Sequence, residues 1–376
     1  MIRLAHSADW HLNADASCAG TLVRDASGQN VRWLDQQRVI SAFVDGAIAQ
    51  QCDIAIIAGD VFDKPKPGPA EIVFAQQQIG RLHRAMPCLL LHGNHDLPVN
   101  GIPSPVEILA SPPLGLYAPR PDRTVVAGLQ LCTLPFPSKV ALLAREEYAG
   151  LAPDEVHALI TDKLRAIVRG LRAQCDPIRP AILVAHLPIV GAALNETMLA
   201  GQEHISLTAE DLEGWEYVAL GDLHRAQQIA GLPAFYSGSL DRLNFGEEHD
   251  PKGWMCVELG DGFSYRFMET PARRFVTLTV DELRHSEPCP DLVYRVKAAI
   301  RQEEFDAIQP DLARWRQCPL FSEALEITRQ TRARAETVTD ELSPAAALAE
   351  WARTQGKTAE LAALLALHRE IAGAAP

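Results

Sequence analysis

The chain has 376 residues, 47% of them hydrophobic and 22% charged. This describes a globular protein too long for one compact core, so at least two domains are expected. No apolar run approaches the roughly 18 to 20 residues of a membrane span and the start MIRLAHSADW has no signal-peptide layout, which argues against a membrane protein and for a cytoplasmic one. The net charge of −13 works against nucleic-acid binding, which draws on clustered Lys and Arg. Local patches still matter more than the total, because acidic residues can gather at a metal site or on a face that meets another protein. The eight cysteines never occur as CxxC, which argues against a zinc ribbon and suits reduced, mostly buried thiols.

Along the first hundred residues, short apolar runs alternate with longer amphipathic ones, the pattern of βαβ units. IRLAHSA, CDIAIIAG and CLLLHG read as buried parallel strands, with crossover helices over Trp33–Gln50 and Ala70–Ala85. Each strand ends in a polar cluster: Asp9-Trp10-His11, Gly59-Asp60 and Gly93-Asn94-His95-Asp96. Further on, a helix is expected over about Asp154–Arg172, then strand AILVAH ending at His186 and strand YVALGDLH ending at Asp222 and His224. Ligands of such sheets bind beyond the carboxyl ends of the strands, so all five tips should share one rim. FYSGSL, GWMCVEL and FSYRFM are short, alternating and turn-bounded, and suggest a second, largely antiparallel sheet packed on the first.

The expected class is α/β (α+β): a two-sheet sandwich flanked by helices, with a small C-terminal capping domain and terminal helices. The texture changes near Arg273, which divides the chain into a core over 1–272, a small domain over 273–335 and a helical segment over 336–376. In the last of these, Ser343 reads as an N-cap, Pro344 as the first helical residue and Gly356 as a stop.

The strand tips carry the chemistry. Hydrolysing a phosphodiester needs a strong nucleophile, shielding of the phosphate and stabilisation of the leaving oxygen, and two divalent ions about 3.5 to 4 Å apart supply all three. Asp9 and His11, two apart on extended backbone, can grip one ion. Asp60 can bridge both ions, Asn94 can offer its carbonyl oxygen to the second, and His186 can complete one side of it. Asp222 and His224 divide between the two, and His95 is left to meet the substrate. Each piece is weak alone; five polar clusters in this order, all at strand ends, are hard to explain as core packing. His6 and His92, inside apolar runs, read as core histidines, and His83 and His368 as helix-surface residues.

The ordered set D-x-H, G-D, G-N-H-D, H and G-x-x-H resembles the calcineurin-like metallophosphoesterase superfamily. HSADWHL, AGDVFD, LHGNHD, LVAHLPIVGA, YVALGDLHRAQ and YSGSLDRLNFGEE followed by KGW narrow the resemblance to the SbcD-type DNA repair nucleases over roughly residues 1–260. The resemblance implies one metal held by Asp9, His11, Asp60 and His224, and another by Asp60, Asn94, His186 and Asp222. It implies His95 as transition-state stabiliser or general acid, and two divalent ions, manganese first and magnesium second. It also implies DNA as substrate, an SMC-like coiled-coil ATPase of the SbcC type as partner, and a homodimer; the segments after Arg273 and Ser343 fit a capping domain and an ATPase-docking helical pair.

The family's G-H-x-H reads Gly221-Asp222-Leu223-His224 here. A carboxylate in place of an imidazole can still ligate a hard ion, but it adds negative charge and shifts metal preference. The polar stretch from Asn13 to Trp33 is also longer than the pattern needs and reads as a loop beside the site. Two other functions remain open from the residues. One is a phosphoesterase of the same superfamily acting on small-molecule or protein phosphates, since the metal site alone does not choose its ester. The other is a non-cleaving binding subunit with a degenerate site at Asp222 and a docking stripe of Leu361, Leu364, Leu365, His368 and Ile371. Arg225, Arg242, Lys64 and Lys66 are candidate contacts to backbone phosphates.

Overall fold

The apolar runs near the amino terminus form three parallel strands, β1 (Ile2–Ser7), β2 (Ile54–Ala58) and β3 (Cys88–Leu91). Between them run α1 (Val31–Ala49), capped by the Asn30 side chain on the Arg32 amide, and α2 (Pro69–Ala85), which opens on a proline. The computed structural model describes residues 1–17, 20–99, 102–110, 115–137, 152–193, 205–260, 262–328 and 343–373.

The chain continues through α3 (Pro105–Ala110), β4 (Leu116–Tyr117), β5 (Asp122–Val126), β6 (Leu129–Leu134), α4 (Pro153–Ala173), β7 (Ala181–His186) and β8 (Tyr217–Gly221). Short strands β9 (Gln227–Gln228) and β10 (Ala234–Tyr236) precede a long hairpin of β11 (Gly253–Leu259) and β12 (Phe263–Glu269).

The strands sort into two six-stranded sheets, ordered β12-β11-β1-β2-β3-β4 and β5-β6-β7-β8-β10-β9. This two-sheet α/β sandwich with flanking helices is the expected class, but the strands are allotted differently. GWMCVEL and FSYRFM do not begin a second antiparallel sheet. β11 adds antiparallel to β1, from Ile2 opposite Leu259 to His6 opposite Met255, so the hairpin extends the first sheet. The second sheet is mostly parallel, with β6, β7, β8 and β10 running together and β5 and β9 antiparallel at its edges. The physical reason is that β11 is apolar on both faces and nearly all buried, so it belongs inside a layered core.

Three apolar layers follow from alternation along the strands. Leu4, Ile54, Ile56 and Leu89 of the first sheet meet Leu131, Ile182, Val184 and Ala219 of the second. On the opposite faces, Ala55, Ile57 and Leu90 pack under Val39, Phe43, Ala75 and Ile79 of α1 and α2. Leu183, Val218 and Leu220 pack under Val156, Ile160, Leu164, Val168 and Leu171, a stripe at helical spacing on α4. Because β1, β2, β7 and β8 lie at the middle of their sheets and point the same way, their carboxyl ends open on one rim.

After the core come β13 (Arg274–Leu278), α5 (Val280–His285), β14 (Leu292–Arg301), α6 (Gln302–Ala307), α7 (Gln309–Trp315) and β15 (Phe321–Thr328), with β13 parallel to β14. Two terminal helices complete the described chain, α8 (Pro344–Thr354), capped by Ser343 on the Ala346 amide, and α9 (Leu361–Gly373). By compactness the chain divides into residues 1–297 with 311–324, and residues 298–310 with 325–376. Among the described residues no helix is long and apolar enough to cross a membrane. The seven described cysteines are free thiols; Cys18 lies outside the described residues.

Candidate metal centre

The loops that leave β1 and β2 run side by side, with the Asp9 amide donating to the Gly59 carbonyl at 3.1 Å and the His11 amide to the Asp60 carbonyl at 3.0 Å. Their backbone is not the extended one expected for Asp9 and His11. Seven non-glycine residues have positive φ among those described, and four are at the strand tips: Asp9 at +53°, His11 at +46°, Asp60 at +51° and Asp222 at +101°. Left-handed backbone outside glycine costs about 1–3 kcal/mol per residue and persists only where the surroundings impose it. Here the strand has already ended at Ser7, and the turn, not the pleat, aims both side chains at the rim.

Two glycines leave the space that the next groups fill. A Cβ on Gly59, whose φ is +101°, would collide with His186 Nδ1, and one on Gly93 would collide with the Asp60 carboxylate and His186 Nε2. The Gly93-Asn94-His95 loop is clamped by buried Asp96, which accepts from the amides of Gly93 at 2.7 Å and Val61 at 2.8 Å. Burial, then the charge of Asp60, pushes the Asp96 carboxyl up to about 7.

Four imidazoles share one arrangement: each has its Nδ1 turned to an oxygen of the protein. His186 Nδ1 lies 2.7 Å from the Ala58 carbonyl, His224 Nδ1 2.8 Å from Glu247 Oε1, and His95 Nδ1 2.9 Å from the Asp63 carbonyl. His11 Nδ1 faces Asp63 Oδ1 at 3.4 Å, an ionic approach without hydrogen-bond geometry. At His186 and His224, Nδ1 committed as a donor leaves Nε2 as the lone-pair nitrogen. His11 Nε2 and His224 Nε2 come within 3.0 Å of each other. His186 Nε2 lies 3.1 Å from Asn94 Oδ1, 3.5 Å from Asp60 Oδ2 and 3.7 Å from Asp222 Oδ1. Asp9 receives the Asp222 amide at 3.1 Å.

The ligand atoms form three overlapping groups, each within 4.8 Å: Asp9, His11 and His224; His11, Asp60 and His95; Asp9, Asp60 and His186. These groups hold six of the eight residues predicted from the sequence, with Asp9, His11 and Asp60 each common to two of them, and Asn94 and Asp222 join the same rim through His186 Nε2. Burial favours the neutral acid at Asp60, yet the imidazoles of His186, His11 and His95 outweigh it and hold this carboxyl below the usual range. Burial lowers His186, but Asp60, Asp9 and Asp222 outweigh it and raise the imidazole to about 10. Burial pushes Asp222 up to about 6 against the opposing charge of His186. Three buried carboxylates are faced by imidazoles and backbone amides in place of Lys or Arg, and two imidazole nitrogens, His11 Nε2 and His224 Nε2, lie 3.0 Å apart among them. That is a donor set short of positive charge, and oxygen with imidazole ligands fits a pair of divalent cations.

Asp63, Glu247 and Lys252 are not singled out by the sequence, and Asp96 is named there only as the end of the Gly93-Asn94-His95-Asp96 cluster, without a role. Asp96, Glu247 and Lys252 do fall within the quoted strings LHGNHD, GEE and KGW, which was the available signal, and Asp63 closes AGDVFD. The stretch from Asn13 begins beside them, its Nδ2 donating to Asp63 Oδ2 at 2.8 Å. His6 and His92 are buried against the hydroxyls of Tyr217 and Tyr117, as core histidines should be. Of the four candidate phosphate contacts, Arg242 is occupied: its guanidinium serves backbone carbonyls, at 2.8 Å for Asp250 and 3.3 Å for Arg273. Lys64 is half-buried, Lys66 and Arg225 are exposed, and Arg225 approaches Asp250 at 3.7 Å.

A family model described as calcineurin-like phosphoesterase matches residues 2–207. Among solved structures, the chain resembles GAP50, the anchor in the inner membrane complex of Plasmodium, at 13% identity and TM-score 0.41, over 72% of this chain and 85% of that one. It resembles TT1561 of Thermus thermophilus at 13% identity and TM-score 0.40, over 71% and 98%. A dimetal phosphatase from Danio rerio matches at 10% identity and TM-score 0.38, over 71% and 96%.

Proposed function

The chain belongs to the calcineurin-like phosphoesterase family, and from that membership we propose a metal-dependent DNA nuclease that cuts phosphodiester bonds in DNA end processing. Metal-dependent hydrolysis of a phosphoester is the family's chemistry. The observation that carries it here is the set of four imidazoles with Nδ1 turned to protein oxygens, gathered with Asp9 and Asp60 in overlapping ligand groups, with His11 and His186 Nε2 turned toward Asp60.

Asp9, His11, Asp60 and His224 would hold one ion, and Asp60, Asn94, His186 and Asp222 the other. When bound, the ions supply positive charge against the phosphate and make water more acidic. The remaining work falls to side chains. His95 is the accessible imidazole of the four, its side chain 42% exposed, and its Nδ1 is steadied by the Asp63 carbonyl. Its Nε2 is therefore the atom that would give a proton to the leaving oxygen. Asp222 adds a carboxylate where the family pattern has an imidazole, which favours a hard ion, with manganese first and magnesium second.

DNA as the ester is supported by the strings YSGSLDRLNFGEE and KGW, whose resemblance is to SbcD-type nucleases. The same resemblance supports an SMC-like ATPase partner and a homodimer. α8 and α9 expose Trp351 and Leu367, apolar surface suited to docking on the ATPase; Ile371 of the expected stripe has its side chain outside the described residues. The test is cleavage of linear duplex DNA by the purified chain with manganese, beside a phosphomonoester as the competing substrate. DNA cleavage that needs manganese and is lost in His95→Ala supports the proposal. Turnover of the phosphomonoester alone points to a phosphatase, and equal cleavage in the variant contradicts catalysis at this site.

A further inference from the structure

We infer that Glu247 and Lys252 are positioning residues that fix His224 as an Nε2 metal ligand, an inference that rests on the two-metal reading above. Glu247 sits on a short 3-10 turn, Phe245–Glu247, capped by the Asn244 side chain on the Gly246 amide. Its side chain is 0% exposed and that of Lys252 1%. Glu247 Oε1 accepts from His224 Nδ1 at 2.8 Å, and Oε2 accepts from Lys252 Nζ at 2.7 Å and from the Leu243 amide at 3.1 Å. Lys252 spends its other two protons on the His224 carbonyl at 3.0 Å and Ser239 Oγ at 2.8 Å. An ammonium has three donors, so this one is fully committed and sealed from solvent, and it is not a phosphate contact.

A buried ion pair contributes little stability over an apolar pair of the same volume, because desolvation offsets the attraction. Its value here is geometric. Glu247 fixes the proton on His224 Nδ1, which leaves the Nε2 lone pair facing His11 Nε2 at 3.0 Å. Lys252 ties the same residue by its backbone carbonyl and cancels the charge of Glu247, so His224 is held at both ends while the site gains no net charge from the pair. Replacing Glu247 by glutamine keeps an acceptor but leaves the Lys252 charge uncancelled next to a cation site. One ion should then suffer more than the other, since His186 is held by the Ala58 carbonyl and groups with Asn94 and Asp222, whereas the pair is bonded to His224.

The experiment is manganese titration of the metal-stripped full chain, with free ion followed by electron paramagnetic resonance and folding by circular dichroism melts. The unmodified chain is expected to bind two ions. Glu247→Gln is expected to bind one of them about 10–100-fold more weakly, the range for residues that orient a ligand, with the other site less affected. Lys252→Met, which keeps Glu247 in place, is expected to weaken the same site and gives the readout if the glutamine variant fails to fold. A lowered melting temperature with both affinities unchanged means a structural role alone and overturns the inference. An unmodified chain that binds no manganese overturns the two-metal reading, and the inference with it.

Discussion

Gly59→Ala tests the link between backbone geometry and metal binding. Gly59 has φ +101°, and a Cβ there would run into His186 Nδ1, the atom bonded to the Ala58 carbonyl at 2.7 Å. The strained backbone costs about 1–3 kcal/mol. Displacing the ring breaks a buried hydrogen bond, which costs about 1–3 kcal/mol more when its acceptor is left unpaired. The sum is a destabilisation of about 2–6 kcal/mol, read by urea unfolding of the metal-free chain. His186 also loses its aim at Asp60 and Asp222, so affinity for one manganese should fall about 10–100-fold by calorimetric titration. Gly214→Ala is the control, since Gly214 has φ +80° but open space around the added carbon; it should lose only the backbone term of about 1–3 kcal/mol and bind metal normally. A Gly59→Ala chain less than about 0.5 kcal/mol weaker, with two unchanged metal sites, would refute the reasoning, because such a shift lies within the noise of an ordinary surface substitution.

His95→Ala should retain both metals by elemental analysis and lose about 10²–10⁴-fold in turnover, the usual contribution of a proton donor. Asp222→Ala should empty one of two manganese sites, whereas Asp222→His should keep both filled; a titration unchanged in the alanine variant contradicts the ligand assignment. His6 gives a stability prediction away from the site: burial lowers its pKa to about 3, against about 6.5 when unfolded. The folded state therefore declines a proton that the unfolded state takes up, and this contribution is intact above pH 6.5. It is lost at up to about 1.4 kcal/mol per pH unit as pH falls from about 6.5 toward 3. Urea unfolding between pH 7 and 5 checks it: His6→Gln should flatten the slope, and an unaltered slope counts against the assignment.

The rim was legible in sequence because each buried strand is a run of apolar residues that stops abruptly at Asp, His or Asn. A strand flanked on both faces has no polar side of its own, so IRLAHS, IAIIA and AILVAH were clear as strands. The same property hid the sheet partition: β11 is as apolar as a strand of either sheet, and its pairing with β1 joins residues some 250 positions apart, beyond any local signal. The positive φ of Asp9 and His11 was equally hidden, since two-residue spacing suits both an extended strand and a tight turn. Glu247 and Lys252 fall in GEE and KGW, strings that carry the resemblance but give neither residue a role. Only folding, which buries the pair beside His224, separates them from their exposed neighbours.

The most direct measurement of the central claim is anomalous scattering from crystals soaked in manganese. Two peaks close together, one ringed by Asp9, His11, Asp60 and His224 and the other by Asp60, Asn94, His186 and Asp222, are the predicted result. No peak at this rim, or ions held elsewhere, would contradict the account.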